Sequence, residues 1–130
     1  MSGNPNEREF KPLQIAVMTV SDTRTEETDK SGNTLVKLLT DAGHRLADKQ
    51  IVPDDIYRIR AVVSQWIADE GVNAVITTGG TGITGRDTTP EAVAALFDKQ
   101  IDGFGELFRA VSYEEINTST IQSRAVAGVA

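Results

Sequence analysis

The chain has 130 residues and a net charge of −6 with a pI near 4.7, which suits one globular domain and argues against a general nucleic-acid or anionic-membrane surface. The absence of cysteine excludes disulfides, thiolate nucleophiles and cysteine-ligated zinc, and the single histidine, His44, excludes a two-histidine metal site within one chain. No apolar stretch approaches the length of a membrane span, and the N-terminus lacks the apolar core of a signal peptide, so we expect a cytoplasmic protein.

Alternating strand and helix patterns follow a polar arm. Residues 1–12 contain two prolines and few apolar side chains, which predicts a flexible arm or an oligomer contact ahead of a domain at 13–130. The predicted elements are, in chain order, a strand at 13–20, a helix at 31–42, a strand at 45–52, a helix from 56 to about 70 and a strand at 73–78. Because the connections are of helix length, this order predicts a mostly parallel sheet with helices on both faces.

Weaker patterns follow the third strand. They predict a helix at 91–97, a glycine-hinged turn at 101–105, a helix at 106–116, a cap at 117–120, a short helix reaching 124 and the start of another strand at 125–130. Within the helix at 56–70, Trp66 shares the apolar face, so we expect it in the core. His44 follows a helix end and is expected as a cap or a surface residue.

The stretch at 74–91 organises the chain around a glycine-rich loop. A β-branched strand ends in two threonines at 77–78, and a loop with four glycines follows at 79–85. Glycines reach positive φ and let a ligand approach backbone N–H groups, so this loop predicts a phosphate site. The alternative is an ordinary turn between a strand and a helix. A dinucleotide fingerprint fits poorly because the loop follows the third strand, and a P-loop is excluded because no G-K-[ST] follows the glycines.

Helix-start signals close this loop. Thr88 or Thr89 can cap the next helix, and Pro90 suits its first position. Glu91 lies three residues after Thr88, as in a capping box. Before the caps, Arg86 can neutralise a phosphate or pair with a neighbouring carboxylate in solvent.

Three aspartates, Asp22, Asp54 and Asp87, lie at predicted strand ends. The carboxyl ends of parallel strands share one edge of a sheet, where carboxylates can hold Mg²⁺ for phosphate chemistry. The alternative for Asp54 is a helix cap. Ser21 can either donate a hydrogen bond to an anion or close a turn.

Six short motifs occur in order along the chain. They are T-V-S-D-T-R at 19–24, D-K-S-G at 29–32, V-P-D-D at 52–55, T-T-G-G-T-G at 77–82, R-D-T-T-P-E at 86–91 and G-F-G-E at 103–106. Together they resemble the MoaB/MogA family of molybdenum cofactor (molybdopterin) biosynthesis proteins, related to the gephyrin G domain. The polar N-terminal arm and the tail at 112–130 are more similar to the MoaB branch.

The resemblance implies a three-layer α/β/α sandwich with a mostly parallel sheet, the molybdopterin-binding (MogA-like) fold, assembled as a homotrimer or homohexamer. It implies binding of molybdopterin, a pterin dithiolene with a terminal phosphate, and transfer of AMP from Mg²⁺-bound ATP to that phosphate. Asp54 and Asp87 match the family's two functionally important aspartates, so the resemblance assigns them to catalysis and to Mg²⁺. The implied substrate-binding residues are Ser21, Asp22, Thr77, Thr78, Gly79, Gly80, Thr81, Gly82, Arg86 and Thr89.

Two features qualify what the resemblance implies. Family members continue past residue 130 with a strand, a Pro-Gly turn and a helix, so we expect part of the pocket to lie beyond 13–130. Some MoaB-branch proteins lack one or both acidic positions, whereas this chain keeps Asp54 and Asp87, which favours activity. The alternatives are a non-catalytic pterin or nucleotide (GTP or ATP) binding protein, and a scaffold that contacts other proteins of the same pathway.

Overall fold

Strand β1, Gln14–Val20, lies at the centre of a parallel sheet in the computed structural model, which describes residues 9–80, 87–107 and 126–130. It is flanked by β2, Arg45–Val52, and β3, Ala74–Thr78, in the order β2-β1-β3. All residues of β1 after Gln14 are buried, which explains its unbroken apolar sequence. The predicted parallel strands are therefore confirmed.

Helices cover both faces of this sheet. On one face, α1, Lys30–Asp41, packs through Leu39 against alternate side chains of β1. On the other face lie α2, Ile56–Ala68, and α3, Thr89–Ala94. The larger core cluster is formed by Ala16, Met18, Val20, Val52, Ile59, Val63, Trp66, Ala92 and Val93. This arrangement confirms the predicted α/β/α fold, with Trp66 in the core as expected.

A β-bulge in β2 places Asp48 on the face of the sheet that packs against Trp66. The register advances from Ile15↔Leu46 to Ala16↔Asp48, so one extra residue lies in β2. Asp48 accepts a 3.0 Å hydrogen bond from the indole N–H of Trp66. Burial raises the pKa of Asp48, but hydrogen bonds, first that from Trp66, outweigh it and leave the pKa below its ordinary value. The bulge thus satisfies the polar atom of a core tryptophan.

Two regions after β3 differ from the sequence prediction. The helix expected at 91–97 spans Thr89–Ala94, and the turn expected at 101–105 is wrong, because 102–107 is helical. Glycine weakens a helix by about 1 kcal/mol relative to alanine but does not forbid one. The predicted elements at 117–120 and up to 124, and most of the helix at 106–116, lie outside the described residues.

A short antiparallel pair lies beside these helices. It joins β4, Lys99–Gln100, to β5, Gly128–Val129. β5 falls inside the strand start expected at 125–130, whereas β4 was not predicted. In the described parts of the chain, no helix is long and apolar enough to cross a membrane.

Candidate functional site

The carboxyl ends of the three parallel strands form the candidate site. The backbone N–H of Ser21, just after β1, donates to the carbonyl of Val52 at the end of β2, at 2.9 Å. Gly79 and Gly80 follow β3 at the same edge. Ligands in open α/β sheets bind beyond the carboxyl ends of strands, so the loops after β1, β2 and β3 share one rim.

Asp54 connects these loops at the end of β2. It is buried, and its Oδ1 accepts hydrogen bonds from Thr88 Oγ1 at 2.6 Å and from the Thr88 N–H at 3.1 Å. Its own N–H donates to Asp22 Oδ1 at 3.1 Å. The helix-cap alternative for Asp54 is wrong, because the neighbouring Asp55 caps α2 by accepting from the N–H groups of Tyr57 and Arg58.

The glycine turn packs directly on β1 and on Asp54. Gly79 and Gly80 have φ values of +94° and +66°, which side chains rarely adopt. A Cβ on Gly79 would overlap the carbonyl oxygen of Val20. A Cβ on Gly80 would overlap Thr89 Oγ1 and would lie 3.1 Å from Asp54 Oδ2. The backbone of this turn is therefore as close to the carboxylate as its packing permits.

The start of α3 fixes the other side of the turn. Thr89 is buried; its hydroxyl donates to the carbonyl of Gly79, and its N–H donates to the carbonyl of Gly80, both at 3.0 Å. Thr88 occupies the cap position without a capping hydrogen bond, so the predicted capping box is wrong. The Thr88 hydroxyl binds Asp54 instead. Pro90 lies in the first turn as predicted.

Arg60 anchors α3 from the side, a role that sequence reasoning missed. Its Nε donates to the carbonyl of Ala92 at 3.0 Å, and a terminal nitrogen donates to the carbonyl of Glu91 at 3.2 Å. The carbonyls at the end of a six-residue helix lack helical partners, so a cation there satisfies them. No sequence signal marks Arg60, because its two partners in α3 lie 31 and 32 residues further along the chain.

The loop after β1 supplies the remaining wall. Ser21 Oγ accepts from the N–H groups of Thr23 at 3.2 Å and Arg24 at 3.1 Å, so it closes a turn, as one of its two interpretations required. A cavity of about 150 Å³ lies between this loop, the start of α1 and the glycine turn. Its lining residues include Thr19, Ser21, Arg24, Asp29, Thr78 and Gly79. A more open cavity of about 410 Å³ adjoins it and is lined by Thr77, Thr78 and Ile76 among others.

A buried ion pair lies under the smaller cavity. Asp29 is 1% exposed, and its Oδ2 accepts from Thr19 Oγ1 at 2.7 Å and from Lys49 Nζ at 2.9 Å. Burial raises the pKa of Asp29, but hydrogen bonds from Lys49, Thr19 and the Gly32 N–H outweigh it, so the pKa lies below its ordinary value. Burial lowers the pKa of Lys49, yet bonds to Asp29 and Glu26 leave it raised. Both groups are therefore charged at neutral pH.

The structure brings together part of the predicted site. Ser21, Asp22, Asp54, Thr78, Gly79, Gly80 and Thr89 surround one edge of the sheet, and Thr77 lies beside it. Asp87 is half-buried immediately before Thr88. Thr81, Gly82 and Arg86 lie outside the described residues. Among the residues described, no group of three or more acidic or histidine side chains could hold a metal. Mg²⁺ accepts one or two carboxylates together with water and substrate phosphates, so by its chemistry a single carboxylate such as that of Asp54 or Asp87 could contribute to such a site.

This chain is similar to known proteins in both sequence and structure. The domain family described as a probable molybdopterin binding domain matches residues 16–129. Molybdenum cofactor biosynthesis protein B of Escherichia coli K12 is 56% identical over 122 residues, covering 94% of this chain and 72% of that protein. A crystal structure of a molybdenum cofactor biosynthesis protein B has a TM-score of 0.90 at 51% identity, over 94% of this chain and 76% of that one. A tungsten cofactor synthesizing protein MoaB from Pyrococcus furiosus has a TM-score of 0.80 at 41% identity, over 92% and 74% of the two chains.

Proposed function

Because this chain belongs to the molybdopterin-binding domain family, in its MoaB branch of molybdenum cofactor biosynthesis proteins, we propose that it adenylylates molybdopterin. The observation that carries the proposal is the contact between a buried carboxylate and a glycine turn. Asp54 is held by Thr88 through one oxygen, and its other oxygen faces Gly80. A phosphate bound at this turn would lie beside a fixed carboxylate, so a cation such as Mg²⁺ would be needed to offset the repulsion between the two negative groups.

The proposed reaction transfers AMP to the terminal phosphate of the pterin. An oxygen of that phosphate attacks the α-phosphorus of ATP, the bond between the α-phosphorus and the bridging oxygen breaks, and pyrophosphate leaves. Magnesium would neutralise the ATP phosphates. The chain's part is positioning: Gly79 and Gly80 let backbone groups approach an anion, and Thr88 orients Asp54.

The two aspartates have different surroundings, which suggests separate roles. Asp54 is buried and fixed by two hydrogen bonds from one residue. Asp87 is half-buried and lies at the exit of the glycine loop. We assign Asp54 to positioning within the turn and Asp87 to the nucleotide side, where a more accessible carboxylate can share Mg²⁺ with phosphate oxygens. A homotrimer or homohexamer is proposed with this function.

Binding without turnover is the second candidate function. One observation favours it: the positive-φ turn of Gly79 and Gly80 can admit an anion to backbone N–H groups without any catalytic metal. A pterin or nucleotide carrier, for ATP or GTP, needs only the anion-binding turn. A scaffold of the pathway would need neither aspartate.

The test is a titration of the purified protein with molybdopterin, with and without Mg²⁺ and ATP, followed by an assay for the adenylylated pterin. Asp54→Asn and Asp87→Asn should bind molybdopterin but lose product formation by roughly a hundredfold or more. Asp55→Asn is the matched control, because asparagine also caps helices well. Binding by wild type without any product would support the carrier, and absence of binding would contradict both.

A further inference from the structure

The buried pair of Lys49 and Asp29 lies beneath the site and has no part in the proposed chemistry. The two charged atoms are 2.9 Å apart, and the side chains are 10% and 1% exposed. Removing two charges from water costs free energy that their attraction does not always repay, so a buried pair is weak evidence of stabilisation. The placement of this pair therefore needs another explanation.

Lys49 holds the loop at 21–29 at two points. Besides Asp29, its Nζ contacts the carboxylate of Glu26 at 3.2 Å. The loop between is braced internally, because the Thr25 N–H donates to Thr28 Oγ1 at 2.9 Å. Hydrogen bonds within the loop limit how far its two ends can move relative to each other.

The far end of the same loop reaches Asp54. Asp22 Oδ1 accepts the Asp54 N–H at 3.1 Å, and Arg24 ties its side chain back to the carbonyl of Thr28, also at 3.1 Å. Polar contacts thus occur along the loop from Lys49 to the backbone of Asp54, and the peptide chain of the loop connects them.

The packing leaves little room for this loop to shift at Asp29. A Cβ on Gly32 would overlap the carboxylate of Asp29 and the hydroxyl of Thr19. The first turn of α1 therefore rests directly on the carboxylate, whose Oδ1 accepts the Gly32 N–H at 3.0 Å. Asp29 is thus fixed by β1 and α1. The contact of Lys49, which lies in β2, with Glu26 then sets where the rest of the loop lies against β2.

We propose that Lys49 is a positioning residue for this site. By holding Glu26 close to Asp29, which β1 and α1 fix, it keeps the loop at 21–29 in the place where Asp22 binds the backbone of Asp54. This inference deepens the proposed function, and its effect on turnover rests on that function. Its effect on the Asp54 backbone does not.

The decisive variant is the double substitution Asp29→Asn with Lys49→Met. Asparagine can still cap α1 through its Oδ1 and can donate from its Nδ2 to the Thr19 hydroxyl, and no buried charge is left unpaired, so stability should approach that of wild type. The clamp on Glu26 is nevertheless lost. We expect hydrogen exchange at the Asp54 N–H to rise by roughly five- to tenfold, the factor for losing one hydrogen bond. Exchange at the Ile59 N–H in α2 should stay unchanged.

Turnover supplies a second readout if the wild type forms adenylylated molybdopterin. The double variant should then lose kcat by roughly tenfold or more, as expected for a misplaced group, with KM for ATP changed less. Lys37→Met is the matched control, because Lys37 pairs with Asp41 at 2.9 Å on the exposed face of α1. It should change neither quantity.

Two outcomes would overturn the proposal. One is a double variant whose stability, kcat and hydrogen exchange at the Asp54 N–H all equal those of wild type, which would show that the pair has only a structural role. The other is exchange that rises equally at Asp54 and Ile59. If wild type forms no product, the proposed function fails, and the exchange comparison still decides the role of Lys49.

Discussion

At the scale of single residues, Gly80 is poorly able to accept a side chain. Its φ is +66°, and a Cβ would overlap Thr89 Oγ1. We expect Gly80→Ala to destabilise the fold by roughly 1–3 kcal/mol, since a side chain at such a backbone position is strained before any clash is counted. The free energy of unfolding in urea measures this.

The matched control for Gly80 is Gly103 in the helical residues 102–107. Nothing lies within 4 Å of a Cβ built there. Gly103→Ala should therefore be neutral or stabilise by about 0.5–1 kcal/mol, because alanine favours helices. Equal losses in the two variants would show that the turn at Gly80 is not as tightly packed as described.

Thr88 shows how a residue predicted as a helix cap serves the site instead. Its hydroxyl donates to Asp54 Oδ1 at 2.6 Å. Thr88→Val removes this donor beside a buried carboxylate and should cost about 1–3 kcal/mol, and it should also lower the formation of adenylylated molybdopterin. Thr88→Ser keeps the hydroxyl and should retain both properties. Urea unfolding and the assay for adenylylated molybdopterin test the two variants, and a fully functional Thr88→Val would contradict this role.

At the scale of elements, the predicted strands were accurate because their patterns are local. β2 was predicted with its observed bounds, Arg45–Val52, and β1 and β3 within one residue. The bulge in β2 was not predictable, because it depends on register with β1. The helical residues 102–107 were missed for a different reason, since two glycines there suggested a turn.

The docking of α3 is an element-scale property that depends on Arg60. Arg60→Met should weaken the end of α3 by roughly 1–3 kcal/mol, since two carbonyls lose a charged donor. Hydrogen exchange at the Ala92 N–H, which donates to the Thr88 carbonyl at 2.9 Å, reports this loss. Arg58→Met on the exposed side of α2 is the control and should leave α3 unchanged. Unchanged exchange in Arg60→Met would show that α3 docks through its apolar contacts alone.

At the scale of the whole molecule, the candidate site is a product of topology. Asp22 and Asp54 are 32 residues apart, and Asp54 and Thr88 are 34 apart. The sequence marked Asp22 and Asp54 because parallel strands end together. It could not show that the Asp22 carboxylate accepts the backbone N–H of Asp54, or that Lys49 pairs with Asp29, because those contacts depend on strand register and on how α1 packs.

The dependence of stability on pH is also a property of the whole molecule. The buried pair of Asp29 and Lys49 determines whether stability rises or falls at each end of the pH range. The pKa of Asp29 is lowered from 3.8, so its contribution is present above pH 3.8 and is lost as the pH falls through the lower folded value. Asp48 adds to this loss, because its pKa is lowered too. The pKa of Lys49 is raised from 10.5, so its contribution is present below pH 10.5 and is lost as the pH rises through the higher folded value.

Stability should therefore be level between these limits and should fall on both sides. Urea unfolding, followed by the fluorescence of the single tryptophan at successive pH values, gives the curve. In the double variant Asp29→Asn with Lys49→Met, the loss of unfolding free energy at low pH should be smaller, with only the part due to Asp48 remaining. The loss at high pH should be reduced as well. If both falls persist unchanged in that variant, the buried pair does not set them, because a removed charge cannot contribute to either limb.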